Sequence, residues 1–388
     1  MHRIARTTRH MANILFTGGR APVTLDLARA FQRAGHKVFM AESLRGHVSQ
    51  PSAAVKANFV VPAPRLEPEA FLAALRSVIE RNQIEWLIPT CEEVFHIAKG
   101  TGQLPCRVFS EPLPKLNLFH NKWAFVESAA GLGLRVPGTM LVTSRDDLLQ
   151  AYARWRAVVL KPVYSRFAAR TLVRAPLKEA LSTLTFDAPW VAQEFVSGRL
   201  LCSYSICQHG RITAHAAYPT VFTAGQGATI AFEPVEHAGV YEWVRTFVEH
   251  HRVTSQMAFD FIETPNGETV ALECNPRATS GAHLLTPNPR FVESFFNPEM
   301  ECVTPYANMS RMLGTAMLAY GLPLALAQGR FGAWLRTFLH SDDVLLDLRD
   351  PLPFLLQGWS ILTYGLLGLR QGISALEAST FDIEWNGE

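Results

Sequence analysis

Apolar positions along the chain change their period several times, and the changes mark out its elements. An apolar run at 13–17 (NILFT) is followed by Gly18-Gly19, a helical stretch ending at Gly35, and a second apolar run (KVFMA) closed by Glu42, which predicts one strand-helix-strand unit. A helical pattern at 69–81 leads to a further apolar run at 84–89 and then to Thr90-Cys91-Glu92-Glu93, the alternation expected of a parallel sheet. A break rich in proline and leucine at 111–118 precedes a helix from about Asn121 to Gly133. Strand patterns then dominate, at 157–163, 171–174, 190–196, 204–208, 257–263 and 269–275, with helices at 146–154 and 239–250. Beyond Pro289 helical apolar patterns return, up to a short polar and aromatic tail. The reading gives a small doubly wound α/β domain over 1–115, an α+β region over 116–290, and a mainly helical extension over 291–388.

Composition narrows this picture only a little. With 388 residues, 48% hydrophobic and 18% charged, and a formal net charge of +2, the chain is long enough for two or three cores with a cleft between them. It has neither the bias of a disordered protein nor the basic excess of one that coats nucleic acid, and no nucleic-acid partner is expected. Six cysteines occur with no C-x-x-C pair, which predicts reduced, mostly buried thiols. The basic stretch 1–10 is followed by no signal-type apolar segment, so a cytoplasmic location is expected. Two nearly uncharged segments, 313–328 and 354–369, are shorter than the roughly 20 residues that span a bilayer and are broken by glycine or proline. They are predicted to be packed core helices, without membrane contact.

The segment 256–277, QMAFDFIETPNGETVALECNPR, carries the strongest chemical signal. Asn266-Gly267 suits a two-residue hairpin turn. Counting outward from it sets Asp260 opposite Glu273 on one face, with Asn275 two residues further along that face. Like charges directly opposed across two strands destabilise the pair. A cation offsets that repulsion, and Asp, Glu and Asn oxygens are the hard ligands magnesium takes when phosphates supply the rest. The bland reading is a solvated hairpin face with two counter-ions. A protonated carboxyl dyad fits less well, because Arg277 follows immediately and favours ionised acids. Lys161 ends the apolar run 157–160 and offers a point charge to phosphate oxygens or simply snorkels. The stretch Gln193-Glu194-Phe195-Val196 ends a strand before Gly198, where backbone groups can meet an adenine edge.

Taken in order, His120-Asn121-Lys122, Leu160-Lys161-Pro162, Gln193-Glu194-Phe195-Val196-Ser197-Gly198, Phe259-Asp260-Phe261 and Glu273-Cys274-Asn275-Pro276-Arg277 resemble the ATP-grasp superfamily, in its carboxylate-amine ligase form with an ATP-binding domain like that of carbamoyl phosphate synthase. The resemblance implies an ATP-grasp fold, with an N-terminal doubly wound pre-grasp domain ahead of it and the helical extension behind. It implies that Lys122 and Lys161 contact ATP phosphates, that Gln193, Glu194, Phe195 and Val196 hold the adenine, and that Asp260, Glu273 and Asn275 bind Mg²⁺. Lys161 and Arg277 would carry the chemistry, Arg277 by stabilising an acyl phosphate and the oxyanion formed from it. The implied reaction joins a small carboxylic acid to an amine and releases ADP and phosphate.

Three features depart from that pattern. The stretch after Lys161 has no glycine, leaving Ser165 and Arg166 as candidate phosphate contacts, and the glycines appear instead at 223–228. Arg199-Leu200-Leu201 follows Gly198 where many relatives carry a glutamate. Two other readings remain open: an NAD-type oxidoreductase, from Gly18-Gly19 and Glu42, and an ATP-grasp protein that holds nucleotide without chemistry. Acid-binding candidates are Arg20, Glu92, Glu93, Arg277 and His283, with the Ser280-Gly281 turn. The extension beyond Pro289 would shape a second-substrate pocket, a homodimer contact or a membrane-surface patch.

Overall fold

The computed structural model describes residues 11–164, 171–225 and 227–388. The basic stretch 1–10, Ser165, Arg166 and Gln226 therefore lie outside the described residues. The first unit is a five-stranded parallel sheet made of β1 (Asn13–Thr17), β2 (Lys37–Glu42), β3 (Val55–Val60), β4 (Trp86–Ile88) and β5 (Arg107–Val108), in the order β3-β2-β1-β4-β5. Helices α1 (Pro22–Arg33), α2 (Pro68–Asn82) and α3 (Glu93–Lys99) connect the strands. The order reverses direction at β1, so the turn after β1 and the turn after β4 meet at the switch point where such sheets leave a crevice.

The proline-rich break at 111–118 is itself helical, as α4 (Leu113–His120), because its prolines sit at the helix start, where no N–H is required. Asn121 then caps α5 (Lys122–Gly131) by accepting from the N–H groups of Trp123 and Ala124. A small antiparallel sheet follows, from β6 (Thr139–Val142), β7 (Val158–Pro162), β8 (Leu172–Val173) and β9 (Trp190–Glu194), in the order β6-β9-β7-β8. Two helices, α6 (Arg145–Arg154) and α7 (Leu177–Thr183), cover it.

The largest sheet joins β10 (Arg199–Gln208), β11 (Arg211–Pro219) and, beyond the short strands β12 (Thr223–Ala224), β13 (Ala228–Thr229) and β14 (Ala231–Phe232) and helix α8 (Ala238–His250), the hairpin of β15 (Ser255–Glu263) and β16 (Thr269–Asn275). Its order is β11-β10-β15-β16. Strand alternation sends Phe259, Phe261, Ala271 and Cys274 to a core shared with α4, α5 and α8, while Tyr204, Ile206 and Ala258 face a second core. That second core also contains Ile14, Phe16 and Phe31 of the parallel unit and Phe291 and Phe295, so one apolar body ties the two sheets together.

The hairpin shows how closely two errors of counting can cancel. The loop has three residues, since Thr264 and Glu268 still exchange a hydrogen bond and Gly267, at φ 79°, turns the chain. A two-residue turn would have shifted every pair. A bulge between Asp260 and Phe261 takes up Leu272 and restores the register, so Asp260 does face Glu273.

Beyond β17 (Arg311–Met312) the chain is helical: α9 (Gly314–Ala316), α10 (Leu322–Ala327), α11 (Phe331–His340) and, after β18 (Asp342–Asp343), α12 (Leu352–Gln371). The expectation of packed core helices is not met. Only 17% of the apolar window of α12 is buried, and this helix is long and apolar enough to cross a membrane by length and composition. The six cysteines are free, and Cys91, Cys207 and Cys274 are buried.

Gly198 is required by proximity, because a Cβ there would stand 2.1 Å from the Glu263 carbonyl oxygen. The substitution Gly198→Ala is expected to push β10 from β15 and cost about 1–3 kcal/mol, read as a lower midpoint in denaturant unfolding; an unchanged midpoint would show that the contact is not tight.

Candidate functional site

The site forms where three elements converge on the exposed end of the large sheet. Across three strands Cys202, Asp260 and Glu273 lie in one row, and Tyr218 extends it on β11. From α5, Lys122 brings its Nζ to 3.7 Å from Glu273 Oε2; from β7, Lys161 brings its Nζ to 3.9 Å from the same oxygen. Lys122 is almost fully buried, and its backbone N–H donates to the Val163 carbonyl just past β7, which fixes the two lysines relative to each other. Asn275 ends β16, and its Oδ1 accepts from Arg277 Nη2 at 3.1 Å.

The charges of this cluster are strongly coupled. Burial and the neighbouring Glu273 carboxylate push the Asp260 carboxyl up to about 7, and Asp260 hydrogen-bonds to Glu273. Burial also opposes ionisation of Glu273, but Lys122 and Lys161 outweigh it and hold that group below its ordinary value. Burial drives the Lys122 pKa down, and Glu273 resists the shift. Ionisation is thus opposed at Asp260 and favoured at Glu273. The reason is geometric: the lysines stand on the Glu273 side and leave Asp260 the less compensated partner. Two carboxylates and one amide make an incomplete set for a divalent cation. Among the described residues no cluster of three or more His, Cys, Asp and Glu could hold a metal ion. Such a donor set fits a hard cation that takes its remaining oxygens from phosphate and water.

The candidate adenine strand β9 runs antiparallel to β7, with Val191 opposite Lys161 and Glu194 opposite Val158. Gln193 is buried and donates to Thr139 Oγ1 at 3.4 Å, while the N–H groups of Glu194 and Phe195 donate to the Gly138 and Ala157 carbonyls. Pairing stops there, and Val196 is the first residue past the sheet. Either side of Gln226, Thr223 pairs with Thr229 and Ala224 with Ala228 as β12 and β13, anchored where Thr229 donates to Thr220, whose hydroxyl meets Cys202 Sγ at 3.5 Å.

Several candidate acid-binding groups are already committed. Arg20 is buried between Glu42 and Asp382, with N–O distances of 2.5 Å to each. Glu42, which also accepts from the N–H groups of Ser43 and Leu44, is thereby occupied where a dinucleotide ribose would need it. His283 Nδ1 lies 2.9 Å from Asp26, and Glu93 accepts from Thr17 and from the N–H groups of Thr90 and Cys91. Ser280-Gly281 lies in a buried 3-10 turn against Tyr204. Arg277 donates to Asn275 Oδ1 and to the Ala278 carbonyl, and its Nε stands 3.9 Å from the buried Glu92 Oε1.

Cys202, Tyr218 and Trp385 escaped the sequence reading. The first two sit on β10 and β11, strands buried along most of their length, so that neither shows a clear alternation. Trp385 belongs to the C-terminal tail: its N–H donates to Glu92 Oε2 at 3.2 Å, its indole stacks on Phe95, and Nε1 donates to Asn117.

With this geometry in view, the chain is similar in structure to N5-carboxyaminoimidazole synthetase from Staphylococcus aureus, at TM-score 0.65 and 12% identity over 82% of this chain and 86% of that one. It is also similar to an L-amino acid ligase from Bacillus licheniformis, at TM-score 0.58 and 13% identity over 78% and 79% of the two chains. A third is phosphoribosylamine–glycine ligase from Thermotoga maritima, at TM-score 0.59 and 16% identity over 76% and 78%. No protein-family model matches the sequence, and no curated protein matches it.

Because the folded protein keeps a proton on Asp260 that the unfolded chain releases above its ordinary value of 3.8, this group costs stability progressively as pH rises from about 4 to about 7. A cation needs the ionised form, so Mg²⁺ affinity is expected to fall roughly tenfold per pH unit below about 7 and to level off above it. Calorimetric Mg²⁺ titrations between pH 6 and 8 check this, with Asp260→Asn as the control that should abolish the slope.

Proposed function

We propose that this chain, which has the ATP-grasp fold, is an ATP-dependent ligase that activates a carboxylic acid as an acyl phosphate and transfers it to an amine, with release of ADP and phosphate. The observation that carries this reading is the convergence of Lys122 and Lys161 from two different elements on Glu273, opposite Asp260 and beside Asn275 and Arg277. A buried row of two acids flanked by two lysines and an arginine suits a polyphosphate with its divalent cation better than it suits a neutral ligand. Names among the structural neighbours are in keeping with this. They include an ADP complex of N5-carboxyaminoimidazole ribonucleotide synthetase and an L-amino acid ligase.

In this reading Asp260, Glu273 and Asn275 hold Mg²⁺, which when bound neutralises phosphate charge. Lys122 and Lys161 meet the phosphate oxygens, and Gln193, Glu194, Phe195 and Val196 hold the adenine at the strand end. An oxygen of the substrate carboxylate bonds to the γ-phosphorus as the bond from that phosphorus to the bridging oxygen of ADP breaks. The protein contributes mainly alignment and charge compensation. The amine nitrogen then bonds to the acyl carbon, phosphate departs with the electrons of the C–O bond, and the nitrogen loses a proton. Arg277, fixed by Asn275 and facing Glu92, is placed to stabilise the acyl phosphate and the oxyanion formed on attack.

The decisive assay offers amino acids and small carboxylic acids with Mg-ATP and measures ADP and phosphate. ADP with a stoichiometric amide is expected, whereas AMP and pyrophosphate, or no ADP with any pair, would overturn the mechanism. The substitution Glu273→Gln should lower turnover by roughly 10²-fold or more and weaken Mg²⁺ binding together, with thermal unfolding still cooperative. Unchanged turnover would remove the metal assignment.

A further inference from the structure

We propose that the C-terminal helices form a docking surface that seats this chain on an anionic lipid bilayer. The inference goes beyond the ligase reading and does not depend on it. Helix α12 is inside out by the standard of a soluble protein. Its inward positions are Pro353, Gln357, Ser360, Tyr364 and Gly368, spaced three or four apart, and the polar ones are used against the body. Gln357 accepts from Thr315 at 2.6 Å, Ser360 donates to the Gly46 carbonyl at 2.7 Å, and the Tyr364 hydroxyl lies 3.4 Å from the Arg20 carbonyl. Outward stand Leu355 at 67%, Trp359 at 64%, Leu362 at 51% and Leu369 at 82% exposure. Leu326 and Leu339 continue the apolar exposure on α10 and α11. Patches of this kind on a folded chain mark a partner surface.

The charges around it select the partner. Neither 314–340 nor 351–371 contains a single Asp or Glu, while Arg330, Arg336 and Arg370 are exposed there and Arg349 lies in the link between them. Of the four acids in that link Asp342 is exposed, and the other three turn to the body: Asp343 accepts from the N–H groups of Gly314 and Leu345, Asp347 pairs with Arg33, and Asp350 pairs with Arg29. A second copy related by a two-fold axis would set this cationic patch against itself. An anionic headgroup layer accepts both the arginines and the leucines. At the edge of α12 a cavity of about 530 Å³, walled by Pro353, Leu356 and Trp359 with Arg45 and His47, lies within the usual ligand range of roughly 300–1,000 Å³. It suits an acyl chain beside a phosphate. Twenty residues of helix reach about 30 Å, enough to span a bilayer. However, the bonds to Gly46 and Arg20 hold α12 against the parallel unit, which favours a seat in the interface over a crossing.

Flotation of the full chain with vesicles tests this. Vesicles with roughly one-third phosphatidylglycerol should carry the protein at least about tenfold better than pure phosphatidylcholine, and salt should weaken the binding. The triple substitution Leu355→Ser, Leu362→Ser, Leu369→Ser should abolish flotation, and Arg336→Gln with Arg370→Gln should reduce it to the phosphatidylcholine level. The arginine pair and the salt series decide the matter even where the serine variant fails to fold. No flotation, equal binding to both vesicles, or a concentration-dependent dimer that the serine variant dissociates would each overturn the proposal.

Discussion

Two carboxyl groups placed face to face across neighbouring strands set the terms for everything built around them. Asp260 and Glu273 repel when both are ionised, and burial raises the cost. The fold meets that cost from outside the hairpin. It brings Lys122 from a helix and Lys161 from a strand of the smaller sheet, so two separately folded elements dock on one carboxylate. The compensation is lopsided: the lysines favour ionisation of Glu273, while burial and the neighbouring charge oppose it at Asp260. A divalent cation held by Asp260, Glu273 and Asn275 would supply the positive charge that the Asp260 side lacks.

Much of this was legible in the sequence, for identifiable reasons. β1, β2 and β4 are short continuous apolar runs, and the hairpin acids alternate with phenylalanine and alanine, so period and turn chemistry suffice to find them; the half-exposed β3 and the two-residue β5 carry no such run and were not legible. The pairing of Asp260 with Glu273 was legible although the loop was not, because a bulge at Leu272 compensates a longer turn. Long-range partners were not legible. Nothing local in Arg20 announces Asp382, and nothing near Glu92 announces Trp385. Strand β11, with alanines buried on both faces, has no alternation to read. The helices at the end misled for a further reason: apolar content predicts burial only when the surroundings are water.

The C-terminal elements matter to the cleft through packing as well as through surface. Phe222 and Ile230, which flank the β12-β13 hairpin, share an apolar cluster with Met317 and Trp334. The hairpin base in turn reaches Cys202 through Thr220, next to Asp260. A continuous set of contacts thus runs from the exposed helices to the acid pair, all of it on the side of the sheet opposite the core shared by α4, α5 and α8.

The Arg20 triad bears on the order in which the molecule is made. Its guanidinium is buried between Glu42, 22 positions away, and Asp382, 362 positions away. Glu42 alone neutralises the guanidinium, and Asp382 adds a second carboxylate that satisfies its remaining N–H groups. A ribosome delivers Glu42 early and Asp382 very late, so the parallel sheet spends most of synthesis with Arg20 paired to one of its two native carboxylates. Contacts of such sequence separation slow folding. The switch-point turn is consequently among the first segments synthesised and the last to reach its native charge balance.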